Sequence, residues 1–165
     1  MQDEIREVKH IIDEHTAIRE RSRVVGDEIN DLEALDDLEG LRDSFSNTDE
    51  VVLADKLKVL RESMSHFINS LSKHFDDEDQ LFPKVLGEPL ARVLKHEHQQ
   101  IKEDINSIIA IGDNRGLDQI SQQRAPAIMM HIFQRINDLR KMVEEHALKE
   151  DTVLQMLLSG LQQRE

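Results

Sequence analysis

The chain has no cysteine, no tryptophan and no tyrosine, and its 5 phenylalanines are the only aromatic residues besides histidine. Without cysteine there is no disulfide framework, no thiolate zinc site, no iron–sulfur cluster and no cysteine nucleophile. Positive charge is scarce: 21 Lys and Arg face 34 Asp and Glu, a formal charge of −13. Phosphate neutralisation needs clustered Lys and Arg, so a nucleic-acid partner is not expected. An anionic membrane surface is disfavoured for the same reason. No apolar run approaches the ~20 residues that span a bilayer. The opening segment MQDEIREVKH lacks the apolar core of a signal peptide, so the expected location is cytoplasmic. A length of 165 residues predicts one domain over the whole chain, able to bury about two-thirds of its extended surface. Against these absences stands one excess, 8 histidines.

Proline is rare (Pro83, Pro89, Pro126), and the 6 glycines fall mainly between periodic segments. Strand-type alternation is missing, while Glu, Leu, Lys, Gln and Ile dominate, so the periodicity predicts four main helices. The first starts near Asp3, with Ile5, Val8, Ile12, Ile18, Val25, Ile29, Leu32 and Leu35 inward, and ends between Gly40 and Phe45. A bend is expected at Gly26, a poor mid-helix residue. The second opens on Asn47, an N-cap with Glu50 at the capping-box position. Its stripe is Leu57, Leu60, Met64, Phe67, Leu71, Leu81 and Val85, and Gly87-Glu88-Pro89 ends it. The third runs from about Pro89 to Ile111 on Leu94, Ile101, Ile105 and Ile108, followed by a loop at Gly112–Gly116 and a short helix over Leu117–Arg124. The fourth begins near Pro126, with Ile128, Ile132, Ile136, Leu139, Val143, Val153 and Leu157 inward. Phe67, Phe75, Phe82, Phe133, Met64, Met129 and Met130 are read as core. Amphipathic helices joined by short loops predict an all-α, up-down-up-down four-helix bundle.

Residues at i, i+3, i+4 and i+7 share a helix face, which sorts the histidines. His15 continues Val8 and Ile12, His74 follows Phe67 and Leu71, His98 lies between Leu94 and Ile101, and His146 continues Leu139 and Val143. His10, His66, His96 and His131 group with charged or polar neighbours. Each helix thus turns one histidine inward. Two of these precede an acid by four residues, His74 before Glu78 and His146 before Glu150, and the apolar stripes resume beyond both acids. A buried unpaired carboxylate costs several kcal/mol, so these acids must be protonated or face a cation.

Chain lengths from His15 to the first turn and from that turn to His74 are similar, so an antiparallel pair sets the two rings level. His74 and His98 are also level about Gly87. Glu14-His15-Thr16-Ala17-Ile18 resembles Glu97-His98-Gln99-Gln100-Ile101, and each pair of helices supplies a histidine followed by HxxxE. Four histidines and two acids on one cross-section make a pseudo-two-fold site with room for two metals. Nitrogen and oxygen donors without sulfur suit iron or another first-row divalent ion, zinc and manganese included. Six donors overfill a tetrahedral zinc site, although they match one octahedral ion. Rival motifs are weak. Glu7-x-x-His10 is the only ExxH of ferritin type and faces solvent, the rings of His96 and His98 diverge on a helix, and no Gly-x-Ser-x-Gly presents a nucleophile.

The order His15, His74-x-x-x-Glu78, His98, His146-x-x-x-Glu150, with the segment HFDDEDQLFP, resembles the haemerythrin-like (HHE cation-binding) family along the whole chain. The resemblance implies a non-haem di-iron centre: two iron ions bridged by Glu78, Glu150 and an oxo or hydroxo group, with His15, His74, His98 and His146 as terminal ligands. The oxygen carriers of that family have HxxxH on the third helix, where this chain has Leu94 and Lys102 on either side of His98. They also place the last acid five residues after its histidine, here Asp151; the helix face favours Glu150 as the second bridge, and Asp151 stands as the other candidate. A centre with six ligands is more open than theirs. It is similar to that of members that sense iron or oxygen, and to di-iron proteins linked to iron–sulfur repair. The expected function is therefore binding or sensing of O2, NO or redox state. The alternatives are an enzyme acting on peroxide or nitric oxide, an iron donor in cluster repair, and a helical adaptor.

Overall fold

Four apolar stripes give four long helices. The computed structural model describes residues 2–40, 47–114 and 125–162, in which α1 spans Gln2–Gly40, α2 Asn47–Val85, α3 Glu88–Asn114 and α4 Ala125–Gln162. Each helix packs on two neighbours in the ring α1–α2–α3–α4–α1. All four neighbouring pairs are antiparallel, because partner numbers fall on one helix as they rise on the next. Between α1 and α2, Asp31 meets Lys56, Glu28 meets Ser63 and Glu14 meets His74. Between α1 and α4, Ser22 meets Arg140, Arg19 meets Glu144 and His15 meets Asp151. The same holds for α2 with α3, through Asp76–Lys102 and Asp79–His98, and for α3 with α4, through Asp104–Arg135 and Glu97–His146. This is the expected four-helix bundle.

The core divides into two apolar slabs. The larger holds Ile18, Val25, Ile29, Leu32, Phe67, Leu71, Phe75, Ile101, Ile136 and Leu139, among others. The smaller holds Val8, Ile11, Leu81, Phe82, Ala91, Leu94 and Leu154. The inward histidines of α1, α3 and α4 fall between the two, and on α2 His74 and Glu78 lie where the larger slab, ending at Phe75, gives way to the smaller at Leu81.

Several side chains depart from the expected stripes. Ile11 rather than Ile12 is buried on α1; either step from Val8 to His15 is helical, and packing chooses between them. On α4 the buried residue beyond Glu150 is Leu154, with Val153 only partly covered, because Leu154 lies one turn below Glu150 on the same line. Met130, expected in the core, is 50% exposed, while Met129 packs against the larger slab. Helix α3 passes through Gly112 to Asn114, since one glycine costs a helix about 1 kcal/mol and does not end it. The segments 41–46 and 115–124, with the expected end at Phe45 and the short helix, lie outside the described residues, as do the side chains of Leu35, Asn47, Glu50 and Ile128.

Two glycines have distinct uses. Gly87, at φ +81°, adopts the left-handed conformation between α2 and α3, where Leu86 N–H donates to Phe82 O and Ala91 N–H to Gly87 O. Helix α1 stays helical through Gly26, where a bend was expected. A Cβ there would collide with the Arg140 guanidinium, which lies across α1 and donates from Nε to Ser22 O at 2.6 Å.

Candidate metal centre

His15, His74, Glu78, His98, His146 and Glu150 are each at most 3% exposed and are the buried polar residues among those described. His10, His66, His96 and His131 are all exposed, as their helix faces require. The rings of His15 and His74 meet edge to face at 4.7 Å between centroids, and those of His98 and His146 do so at 4.8 Å. Phe75 stacks on His98 at 4.1 Å and meets His146 edge-on at 5.6 Å, closing the layer from the larger slab.

The two acids divide their oxygens between the two histidine pairs. Glu78 Oε1 lies 3.2 Å from His15 Nε2 and 3.1 Å from His74 Nε2, while its Oε2 lies 3.3 Å from His98 Nε2. Glu150 mirrors this, with Oε2 at 3.3 Å from His15 Nε2 and Oε1 at 3.3 Å from His98 Nε2 and 3.1 Å from His146 Nε2. Two four-residue groups result, His15–His74–Glu78–Glu150 and Glu78–His98–His146–Glu150, and each can hold a metal ion. They share both acids. Four of the inward atoms, His74 Nε2, Glu78 Oε2, His146 Nε2 and Glu150 Oε2, are buried with no hydrogen-bond partner. The short distances at these atoms lack hydrogen-bond alignment. An unsatisfied buried polar group costs about 1–3 kcal/mol, so four in one layer are strongly unfavourable unless cations sit among them. The residues present therefore fit a pair of cations.

The outward face of each imidazole is occupied as well. His15 Nδ1–H donates to Asp151 Oδ1 at 2.6 Å, and His74 Nδ1–H donates to Glu14 Oε2 at 3.0 Å. His98 Nδ1–H donates to Asp79 Oδ1 at 3.0 Å, and His146 Nδ1–H donates to Glu97 Oε2 at 2.9 Å. A carboxylate can only accept, so the proton sits on Nδ1 and Nε2 is left to face the centre. Glu150 thus enters the cluster, and Asp151, the other candidate, stands behind His15. The outer carboxylates were not foreseen as partners of these histidines. Their signal is in the sequence nonetheless, as a glutamate before His15 and His98 and an aspartate after Glu78 and Glu150. Among the described residues, the third helix adds no seventh donor: Leu94 is in the core, and Lys102 bonds Asp76 at 3.0 Å.

The family model described as Hemerythrin HHE cation binding domain matches residues 6–158. The chain belongs to this family. No match was found among curated proteins or among solved structures. The matched residues include all six buried donors, and cation binding by the haemerythrin domain agrees with their chemistry.

Without a metal, charge pairing within the polar layer of this haemerythrin domain partly offsets its burial. Burial opposes a charge on His15, but Glu150, Glu78 and Asp151 outweigh it and raise the imidazole to about 10. His98 is raised to about 9 against the same opposition, by Glu150 and Glu78. Burial likewise pushes the acids up, and His15, His74 and His98 reverse this for Glu78. His146, His15 and His98 do so for Glu150. Both acids are held below the usual carboxylate range, so in the metal-free chain His15 and His98 face them as imidazolium, a pairing that metal cations can replace.

Proposed function

We propose that this haemerythrin-family domain, taken as one unit over residues 1–165, holds two iron ions and uses them to bind or sense O2, NO or redox state. The observation that carries the reading is the pair of buried donor groups that share Glu78 and Glu150, each acid giving one oxygen to each side. In this reading His15 and His74 would hold one ion and His98 and His146 the other, with Glu78 and Glu150 each offering an oxygen to both. An all nitrogen–oxygen donor set suits iron, and six donors exceed what one tetrahedral zinc accepts. Iron supplies reversible ferrous–ferric change and coordination positions that a diatomic ligand can enter.

The protein's share is enclosure and orientation. The six side chains lie between two apolar slabs and are almost fully buried, which supports a ligand the size of O2 or NO, with peroxide at the upper end, over a larger substrate. Phe75 and the slabs keep water from the layer, and the outer carboxylates hold each Nδ1 proton so that Nε2 points inward. No nucleic acid or membrane belongs to this reading, and a cytoplasmic location does; no described helix is long and apolar enough to cross a membrane.

Anaerobic loading with ferrous ion, followed by exposure to oxygen, tests it. Two irons per chain and new visible charge-transfer absorption are expected; failure to retain stoichiometric iron would overturn the proposal. Sustained turnover of peroxide or nitric oxide by the loaded protein would replace binding or sensing with an enzymatic function.

A further inference from the structure

The outer carboxylates are arranged with a direction. Glu14 on α1 accepts from His74 on α2, Asp79 on α2 from His98 on α3, Glu97 on α3 from His146 on α4, and Asp151 on α4 from His15 on α1. Each helix therefore holds the histidine of the next, and the sequence of bonds closes on itself around the bundle. Every carboxylate also turns its second oxygen outward to a basic side chain: Glu14 Oε1 to His10 Nε2 at 3.5 Å, Asp79 Oδ2 to Lys95 Nζ at 3.4 Å, Glu97 Oε1 to Lys149 Nζ at 3.0 Å and Asp151 Oδ2 to Arg19 Nη2 at 2.7 Å. Four repeats of one pattern, on four different helices, are hard to attribute to incidental surface pairing.

Two of the four bonds cross between the donor groups. Helix α2 gives His74 to the first group, yet its Asp79 holds His98 of the second; α4 gives His146 to the second, yet its Asp151 holds His15 of the first. Both aspartates directly follow a shared glutamate. We propose that Glu14, Asp79, Glu97 and Asp151 are positioning residues forming a closed ring, and that Asp79 and Asp151 couple the two metal positions by fixing a histidine of the opposite group. The metal part of this inference rests on the two-metal reading above; the ring itself does not.

Substitutions Asp79→Asn, Asp79→Leu, Asp151→Asn and Asp151→Leu test it with two readouts. Imidazole nitrogen and proton NMR of the metal-free chain follows the Nδ1–H groups. Asp79→Leu should shift His98 and leave His74 unchanged, and Asp151→Leu should shift His15 and leave His146 unchanged. Ferrous ion competed against a chelator under anaerobic conditions should bind about 10–100-fold more weakly to both leucine variants, as for other partners of metal-bound histidine. The asparagine variants, which keep an accepting oxygen, should recover part of that loss. A merely structural contact would lower the melting temperature without moving a single imidazole signal selectively. Wild-type affinity for both ions in the leucine variants, or a shift of His74 rather than His98 in Asp79→Leu, overturns the coupling. If the wild-type chain binds no ferrous ion, the two-metal reading and the coupling fail, and the selective imidazole shifts alone decide the ring.

Discussion

At the scale of residues, the decisive property is which way each histidine faces. His96 and His98 are two positions apart on α3, so their side chains diverge by roughly 200° around a helix of 3.6 residues per turn. One is exposed and the other is enclosed by Phe75, Glu78 and Glu150. His98→Ala should therefore lose at least one ferrous ion per chain, while His96→Ala keeps both, measured as bound iron after anaerobic gel filtration. Equal losses in the two variants would contradict the assignment. The helical period alone made this separation legible, because the phase of Leu94 and Ile101 is unambiguous. It favoured Glu150 over Asp151 by face without excluding Asp151. Adjacent residues lie only about 100° apart on a helix, and both reach the layer from opposite sides of His15.

At the scale of elements, helices α1 and α4 meet through a cation lying on a glycine. Arg140 crosses α1 at Gly26, donates to the Ser22 carbonyl and bonds Asn137 Oδ1 at 2.8 Å. Burial lowers its guanidinium from the ordinary arginine range, and Asp27 opposes that only in part. Alanine at an ordinary mid-helix glycine stabilises by about 0.5–1 kcal/mol. In the wild-type background, Gly26→Ala should gain little, because the guanidinium must leave its place over α1. In an Arg140→Ala background the same change should stabilise by about the full amount, which thermal or urea unfolding of the four variants would show. Identical gains in both backgrounds would remove Arg140 from the explanation. Gly26 is visible in the sequence only as a weak point. Its role depends on a residue far along the chain, which no local pattern reports.

At the scale of the whole molecule, a charged layer between two apolar slabs ties the stability of the metal-free chain to pH. His15 and His98 are raised from 6.5 to about 10 and about 9, so their contribution is complete below about pH 6.5 and fades as pH rises through those values. Glu78 and Glu150 are lowered from 4.5, so their contribution is complete above about pH 4.5 and is lost on acidification. The metal-free protein should be most stable between about pH 4.5 and 6.5. Its melting temperature in the presence of chelator should fall steadily from pH 6.5 to 10. A flat profile over that range would mean that the imidazolium–carboxylate layer contributes little.

The sequence by itself determined four helices, the inward face of each and the six donors on those faces, because periodicity and residue chemistry are local properties. The doubling of HxxxE and the level count even placed those donors on one cross-section. Only the tertiary structure decided how each glutamate divides its oxygens, which acid stands behind which histidine, and that those bonds run from every helix to the next. These are relations between side chains on different helices, fixed by rotamer and packing at the point where antiparallel elements meet. A one-dimensional pattern carries the residues for such a relation without specifying the pairing.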